Sequence, residues 1–192
     1  MHGRPQAAWA VGSPSLQECV SIWLSDLDSK LRSGSLSVIN ASKTLAENSA
    51  SQVLYGGDVV LAARMLKHMS ERMRYDIQRT VDVSSREAMV TALVKYVVRI
   101  SSNLLGVQAW ADLSSGSGSS DSSNDEVGRA VTALMVGLEE NAFLLADAVT
   151  SEKIIIKPTE NILLSIRVMQ SRNTHRQRFP SVEENISTRS GP

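Results

Sequence analysis

The sequence predicts a mainly α-helical domain, a bundle of five to six amphipathic helices followed by two or three short β-strands. Up to residue 150, apolar residues recur every three or four positions, which is the period of a helix. Beyond that point they alternate at every second position, which is typical of a strand. The 192 residues are 42% hydrophobic and 21% charged, the composition of a globular domain with a sizeable core.

The longest amphipathic stretch spans residues 125–150, and the other predicted helices need its apolar stripe as a partner. Three acidic residues, Glu139, Glu140 and Asp147, lie off that stripe and are predicted to face solvent. The stripe consists of Val127, Val131, Leu134, Leu138, Ala142, Leu145 and Val149.

The first helices are bounded by residues that favour helix ends. Residues 1–14 are interrupted by Gly and Pro and are predicted to be a disordered leader. Ser15 and Glu18 have the spacing of a capping box, which predicts a helix from there to Gly34. A weaker helix is predicted over residues 36–48.

A third helix is predicted over residues 59–80, with Asp58 as its N-cap. Its polar side is rich in basic residues, among which Glu71 and Asp76 are interspersed. This mixture favours a solvated face, and a basic patch for an acidic partner is the alternative. The basic residues are Arg64, Lys67, Arg72, Arg74 and Arg79.

The fourth helix, residues 85–105, is the most apolar and is therefore predicted to lie at the centre of the bundle. Ser84 and Glu87 form a second candidate capping box at its start. Residues 107–113 are predicted to form a short helical turn. The Ser-rich residues 114–124 have too few apolar side chains for a core and are predicted to be a flexible loop.

The strands are predicted in residues 151–180, with apolar segments at 154–156 and 162–169 and a return strand at 175–179. Two or three strands do not form a stable sheet by themselves. They must therefore pack on the helices or belong to a larger sheet. Residues 181–192 are predicted to be a disordered tail.

The sequence contains no residue pattern that indicates catalysis, a cofactor or a metal site, so we predict that the protein is not an enzyme. The three histidines lie in unrelated segments, and the sequence has neither a Gly-rich phosphate loop nor a GxSxG motif. The formal net charge of +0 gives no general attraction for nucleic acid. No apolar run is long enough for a membrane span, and residues 1–15 lack the apolar core of a signal peptide.

Three residues are candidates for covalent modification. Asn40 and Asn185 each begin an Asn-x-Ser sequence, the acceptor for N-linked glycans in secreted proteins. Cys19 is the single cysteine, so an intrachain disulfide is excluded. It is either a small buried apolar residue of an intracellular protein or half of a bridge to a cysteine outside this chain.

Several stretches, in the same order, resemble the GAIN domain of latrophilin-type adhesion G-protein-coupled receptors. The most specific are residues 139–147, EENAFLLAD, and residues 158–162, PTENI; Asn141 stands where the family usually has Gly. The others are CVSIWLSDLDSKLRSG (19–34), YGGDVVLAARMLKHM (55–69), VQAWADL (107–113), TALMVGLEENAFLLADAV (132–149) and KPTENILLSIRVM (157–169).

The resemblance implies that residues 15–150 are the helical first subdomain of a GAIN domain and that residues 151–180 are the opening strands of its β-sandwich. It also implies an extracellular, non-catalytic part of a receptor for cell adhesion and signalling. Its partners would be the remainder of the GAIN domain, the rest of the receptor and cell-surface protein ligands bound by other modules.

In the family the sandwich carries a His-Leu-Ser/Thr self-cleavage motif, which no stretch of this sequence matches, so the resemblance assigns no catalytic residue here. Cys19 matches the cysteine that closes the hormone-receptor-like module preceding the domain. An intracellular helical adaptor that binds a partner protein is the alternative function. A glycan on Asn40 would favour the receptor, whereas a reduced Cys19 in an unglycosylated cytosolic protein would favour the adaptor.

Overall fold

The computed structural model describes residues 19–106 and 122–169. These residues form five α-helices and one antiparallel pair of strands, which confirms the predicted fold class. In chain order the elements are α1 (Ile22–Ser33), α2 (Val38–Ser51), α3 (Gly56–Arg79), α4 (Val83–Leu104), α5 (Ser122–Ala148), β1 (Lys153–Pro158) and β2 (Leu163–Val168).

Helix α4 lies at the centre of the core, as its composition predicted. It packs chiefly against α2 and α5, and α5 packs in turn against α3. Burying large apolar side chains in this way contributes about 1.5–3 kcal/mol for each of them. The apolar side chains of α4 that are 0% exposed are Val90, Leu93, Val94, Val97, Ile100 and Leu104.

Helix α1 begins at Ile22, so the prediction of a helix from Ser15 is wrong for residues 19–21. Val20, which lies within the predicted helix, is outside α1 and 40% exposed. The backbone leaves the helical path because Ser21 is bound to Asp58 of α3. Ser15 and Glu18 lie outside the described residues. The helix ends at Gly34 as predicted, in the left-handed conformation with φ 76° that glycine adopts without strain.

Helix α2 is capped by Ser37, and α3 is capped by a residue other than the one predicted. The hydroxyl of Ser37 accepts a hydrogen bond from the amide of Asn40 at the start of α2, which runs to Ser51. Tyr55, and not Asp58, is the N-cap of α3. Asp58 is the third residue of that helix, and its carboxylate accepts a hydrogen bond from the amide of Tyr55 at 3.0 Å.

Helix α4 begins at Val83 with Asp82 as its N-cap, so the capping box predicted from Ser84 and Glu87 is wrong. The carboxylate of Asp82 accepts from the amide of Ser85 at 2.7 Å and from its hydroxyl. Arg86 fixes the preceding turn because its guanidinium donates to the carbonyls of Thr80 and Val81. These bonds place Asp82 two residues ahead of the expected cap.

The N-cap of α4 makes stability depend on acidic pH. Hydrogen bonds from the Ser85 hydroxyl, and then from the Ser85 amide, lower the pKa of Asp82. A carboxylate with a lowered folded-state pKa stabilises the fold above the unfolded-chain pKa of about 3.9 and stops doing so as pH falls through the folded value. We expect Asp82→Asn, which does not titrate, to give a shallower pH dependence of the unfolding free energy than wild type below about pH 4. Parallel profiles in urea titrations would contradict this assignment.

Helix α5 begins at Ser122, so the predicted Ser-rich loop is wrong for residues 122–124. Ser and Asn are favourable at helix N-termini, which accounts for the earlier start. Residues 107–121 lie outside the described residues. Of the predicted stripe, four residues are buried, Val131 and Ala142 are half-buried, and the side chain of Val127 is not among those described. The buried four are Leu134, Leu138, Leu145 and Val149.

Strands β1 and β2 pair antiparallel, with Ile155 opposite Ile166. Both side chains are buried, so the pair has one face on the core. The two predicted strands are confirmed, and β1 extends one residue earlier and two residues later than expected. The return strand predicted at residues 175–179 and the tail at 181–192 lie outside the described residues.

Candidate functional site: two junctions on the helical bundle

The turn between β1 and β2 is attached to the end of α4. The side-chain amide of Asn161 donates to the carbonyl of Ser102 at 2.8 Å, and the Asn161 backbone amide donates to the Ser102 hydroxyl at 3.1 Å. Within the turn, the amide and hydroxyl of Thr159 both donate to the carbonyl of Ile162. Asn161 therefore fixes a turn that is already closed by Thr159, and we call this contact the hairpin junction.

The hairpin also shares the hydrophobic core of the helices. Ile155 and Ile166 are 8% and 7% exposed, and β2 lies against α5. Ile162, Leu164 and Val168 are partly buried against the same core. The helices thus supply the apolar surface that two strands lack by themselves.

The chain enters the bundle through a second attachment, the N-terminal junction, where Ser21 meets the start of α3. Asp58 is fully buried, and its Oδ1 accepts from the Ser21 amide at 2.7 Å. Its Oδ2 accepts from the Ser21 hydroxyl at 2.7 Å and from the Tyr55 amide. A carboxylate at a helix N-terminus is favoured by the helix dipole, so one side chain stabilises α3 and holds Ser21 against it.

Gly57 allows the backbone of the N-terminal junction to approach α3 closely. A Cβ at this position would lie 2.5 Å from the carbonyl oxygen of Cys19 and 3.0 Å from its carbonyl carbon. At Gly128, also in a helix, a Cβ would meet no atom within 4 Å. The two glycines therefore form a matched pair for substitution.

We expect Gly57→Ala to lower the free energy of unfolding by about 1–3 kcal/mol, since the backbone of residues 19–20 has to move. Gly128→Ala should raise it by about 0.5–1 kcal/mol through lower backbone entropy in the unfolded chain. Urea unfolding monitored by circular dichroism measures both changes. Equal stability of the two variants would show that the close approach at Gly57 does not affect the free energy of unfolding.

The residues predicted for modification lie in different places. Cys19 is a half-buried free thiol at the N-terminal junction. Asn40 is exposed in the first turn of α2, whereas the hydroxyl of Ser42, the third residue of its acceptor sequence, is buried and donates to the carbonyl of Ile39. Asn185 lies outside the described residues. The described structure therefore does not bring the candidates together.

The acidic residues of α5 do not form a pair. Glu139 and Asp147 are exposed, while Glu140 is half-buried and accepts a hydrogen bond from the Ser70 hydroxyl at 3.2 Å. The expectation that all three face solvent is therefore wrong for Glu140. Across residues 19–106 and 122–169, no group of three or more His, Cys, Asp or Glu residues is placed to hold a metal ion. No helix in that part of the chain has the length and apolarity of a membrane span.

The basic residues of α3 lie in different surroundings, and Arg74 is exposed. Arg72 reaches the carbonyl of Leu31 at the end of α1, and Arg79 lies over the ring of Tyr75 at 5.1 Å. Arg64 and Lys67 are exposed at a groove of about 780 Å³ between α3 and α5. Arg129 of α5 is a third exposed basic residue at this groove, and the apolar residues that line it include Val60, Ala63, Ala133 and Val136.

A second, smaller cleft of about 380 Å³ lies at the hairpin junction itself. It is bounded by the outer face of α4 and by the turn after β1. Its positive side chains are Lys95, Arg99 and Lys157.

Sequence patterns did not identify the two junctions. The sequence marks Asn161 only as part of the PTENI stretch and Asp58 only as a candidate N-cap. The contacts join residues 37 and 59 positions apart, which no periodicity links. An Asn following a Pro-Thr turn was the one local signal at the hairpin junction, because Asn favours turns and side-chain to backbone hydrogen bonds.

Comparison with known proteins supplies the family. Residues 24–146 match the family model described as AGRL2-4 GAIN subdomain A. The chain is 35% identical over 173 residues to Latrophilin Cirl of Drosophila mojavensis, covering 88% of this chain and 10% of that protein. Latrophilin Cirl of Drosophila persimilis is 35% identical over 170 residues, covering 87% and 10%. The chain thus spans about a tenth of the length of these relatives.

Proposed function

This chain belongs to the GAIN domain family of latrophilin-type adhesion G-protein-coupled receptors, and from that premise we propose that it is a non-catalytic helical support for the β-sheet part of the domain. In the receptor, the support lies outside the cell and serves cell adhesion and transmembrane signalling. It holds the opening strands in place, and the remainder of the domain continues the sheet from them.

The observation that supports this proposal is the hairpin junction. Two strands are marginal by themselves, yet here β1 and β2 are held by the hydrogen bonds of Asn161 to Ser102 of α4 and by two buried isoleucines. A strand edge is a template for further strands. A bundle that presents a fixed hairpin therefore has the geometry needed to begin a larger sheet.

Hydrogen exchange at the amides of β1 and β2 tests the support. We expect Asn161→Ala to lower protection about fivefold, the effect of one hydrogen bond worth about 1 kcal/mol. Adding Ser102→Ala should lower it further because the second hydrogen bond is lost as well. Glu160→Ala, in the same turn, is the matched control and should leave protection unchanged. If all three variants retain wild-type protection, the helices do not hold the hairpin through this contact.

We further propose that Asn40 carries a glycan and that Cys19 pairs with a cysteine outside this chain. Asn40 is exposed, but Ser42 is buried in α2, so the glycan has to be added before that helix folds. In a secreting cell, Asn185→Gln should still lose mass on treatment with an amidase that removes N-glycans, and Asn40→Gln/Asn185→Gln should not. A protein that stays unglycosylated and keeps a reduced Cys19 would support the intracellular adaptor instead.

A further inference from the structure

The cleft at the hairpin junction concentrates positive charge on a chain whose formal net charge is +0. Lys95 and Arg99 are exposed and one helical turn apart on α4, so their Cβ atoms lie about 6 Å from each other. Lys157, at the end of β1, faces the same cleft. Of the described residues that line it, only Glu160 is acidic.

These positive charges are not neutralised by the part of the chain that the structure describes. Neither Lys95, Arg99 nor Lys157 has a carboxylate within 4.0 Å there, whereas Lys30 and Arg32 of α1 are paired with Asp26 and Asp28. Like charges in one cleft repel each other, and an anion that enters removes this repulsion. The cleft is thus electrostatically suited to an anionic ligand.

The hairpin junction gives the cleft a fixed shape. Ser102 lies on the same face of α4 as Arg99, and Asn161 binds Ser102 through two hydrogen bonds. This attachment holds the turn, with Lys157 at its start, against α4. The charged groups therefore come from two elements with a defined separation, unlike lysines scattered on a surface.

We propose that this cleft binds a sulfated polysaccharide through Lys95, Arg99 and Lys157. Arginine matches the oxygens of sulfate with its planar fork, and lysine acts as a point charge beside it. A linear polymer carries several sulfates, so it can contact positive side chains that come from two different elements. We choose a polysaccharide because it is a polyanion of the cell exterior, and this choice rests on the extracellular location proposed above. The assignment of an anion site rests only on the charges in the cleft.

An acidic peptide fits this cleft less well because peptide interfaces depend on apolar anchors in buried pockets. The cleft offers mainly charged and hydroxyl side chains, with Val98 and Pro158 as its apolar contacts. The groove between α3 and α5 is larger and has the apolar surface that a peptide needs. Two of its three exposed basic residues, Arg64 and Lys67, lie one helical turn apart on α3 and therefore provide a matched control.

Fluorescence anisotropy with a labelled heparin octasaccharide in 0.15 M NaCl tests the proposal. We expect Lys95→Gln/Arg99→Gln to weaken binding about tenfold, as expected for two charged contacts. Arg64→Gln/Lys67→Gln removes the same charge from the other groove and should change affinity less than about twofold. Lys157→Gln, which leaves the helices untouched, should weaken binding by a smaller factor and covers the case in which the double variant misfolds.

Three results would overturn the proposal. They are no binding by wild type, equal loss in the two double variants, and competition by polyglutamate as effective as that by unlabelled octasaccharide. The last would assign the cleft to acidic peptides. Hairpin hydrogen exchange should remain at the wild-type level in Lys157→Gln, so failure of polysaccharide binding is distinguishable from failure of the helical support.

Discussion

Asp58→Ala is expected to lower the free energy of unfolding by about 2–4 kcal/mol and to release residues 19–21 from α3. The change removes a carboxylate from the first turn of a helix, where its interaction with the helix dipole contributes about 0.3–2 kcal/mol. It also leaves the amide and hydroxyl of Ser21 and the amide of Tyr55 without their acceptor, and each buried unpaired donor costs about 1–3 kcal/mol. These terms are not additive because water reaches part of the opened site.

Urea unfolding measures the loss, and hydrogen exchange at the Ser21 amide measures the release. Asp58→Asn keeps one oxygen acceptor and should fall between wild type and Asp58→Ala. Asp147→Ala removes an exposed carboxylate from α5 and should change stability by less than about 0.5 kcal/mol. If Asp58→Ala is no less stable than Asp147→Ala, the N-terminal junction is not held by this carboxylate.

Features that depend on local sequence could be predicted, and α4 shows why. Its side chains are buried at positions that follow the helical period, so composition and spacing identify both the helix and its central place. The end of α1 at Gly34 also depends on local sequence, because glycine adopts the left-handed backbone conformation without steric strain. Such features require no knowledge of what lies elsewhere in the chain.

Helix starts could not be predicted so well, because tertiary contacts choose among several local candidates. The local sequence favours a helix that starts at Ser15. However, Ser21 is hydrogen-bonded to the carboxylate of Asp58, 37 residues further along the chain, and α1 begins after it. Ser84 was an acceptable cap for α4, yet Arg86 fixes the preceding turn and Asp82 becomes the cap. The free-energy differences between local helix starts are small, so the energy of one buried hydrogen-bond network is enough to select another start.

The cleft at the hairpin junction could not be predicted either, because it also depends on a contact between distant parts of the chain. Lys95 and Arg99 lie on α4 and Lys157 lies on a strand, and no sequence pattern connects the three residues. Only the contact of Asn161 with Ser102 places them at one cleft. The family resemblance marked the PTENI stretch as specific without indicating which physical contact it makes.

Leu134→Ala is expected to produce the largest loss of stability, about 2–5 kcal/mol. Leu134 is 0% exposed on α5, the helix that packs against both α3 and α4 and contacts β2. Truncation removes buried apolar surface and leaves a cavity that neighbouring helices fill only in part. Domains of this size are stable by about 5–15 kcal/mol, so the change takes a large share of the total.

The adjacent residue Met135, 46% exposed, supplies the control, and Met135→Ala should alter stability by less than about 1 kcal/mol. Because α5 contacts the hairpin as well as the helices, we expect Leu134→Ala to reduce hydrogen-exchange protection in β1 and β2 together with that in α4. This outcome would make the described helices and hairpin one cooperative unit. Loss of protection in α4 with an unchanged hairpin would instead show that the strands are held from elsewhere, and the helical support would have to be abandoned.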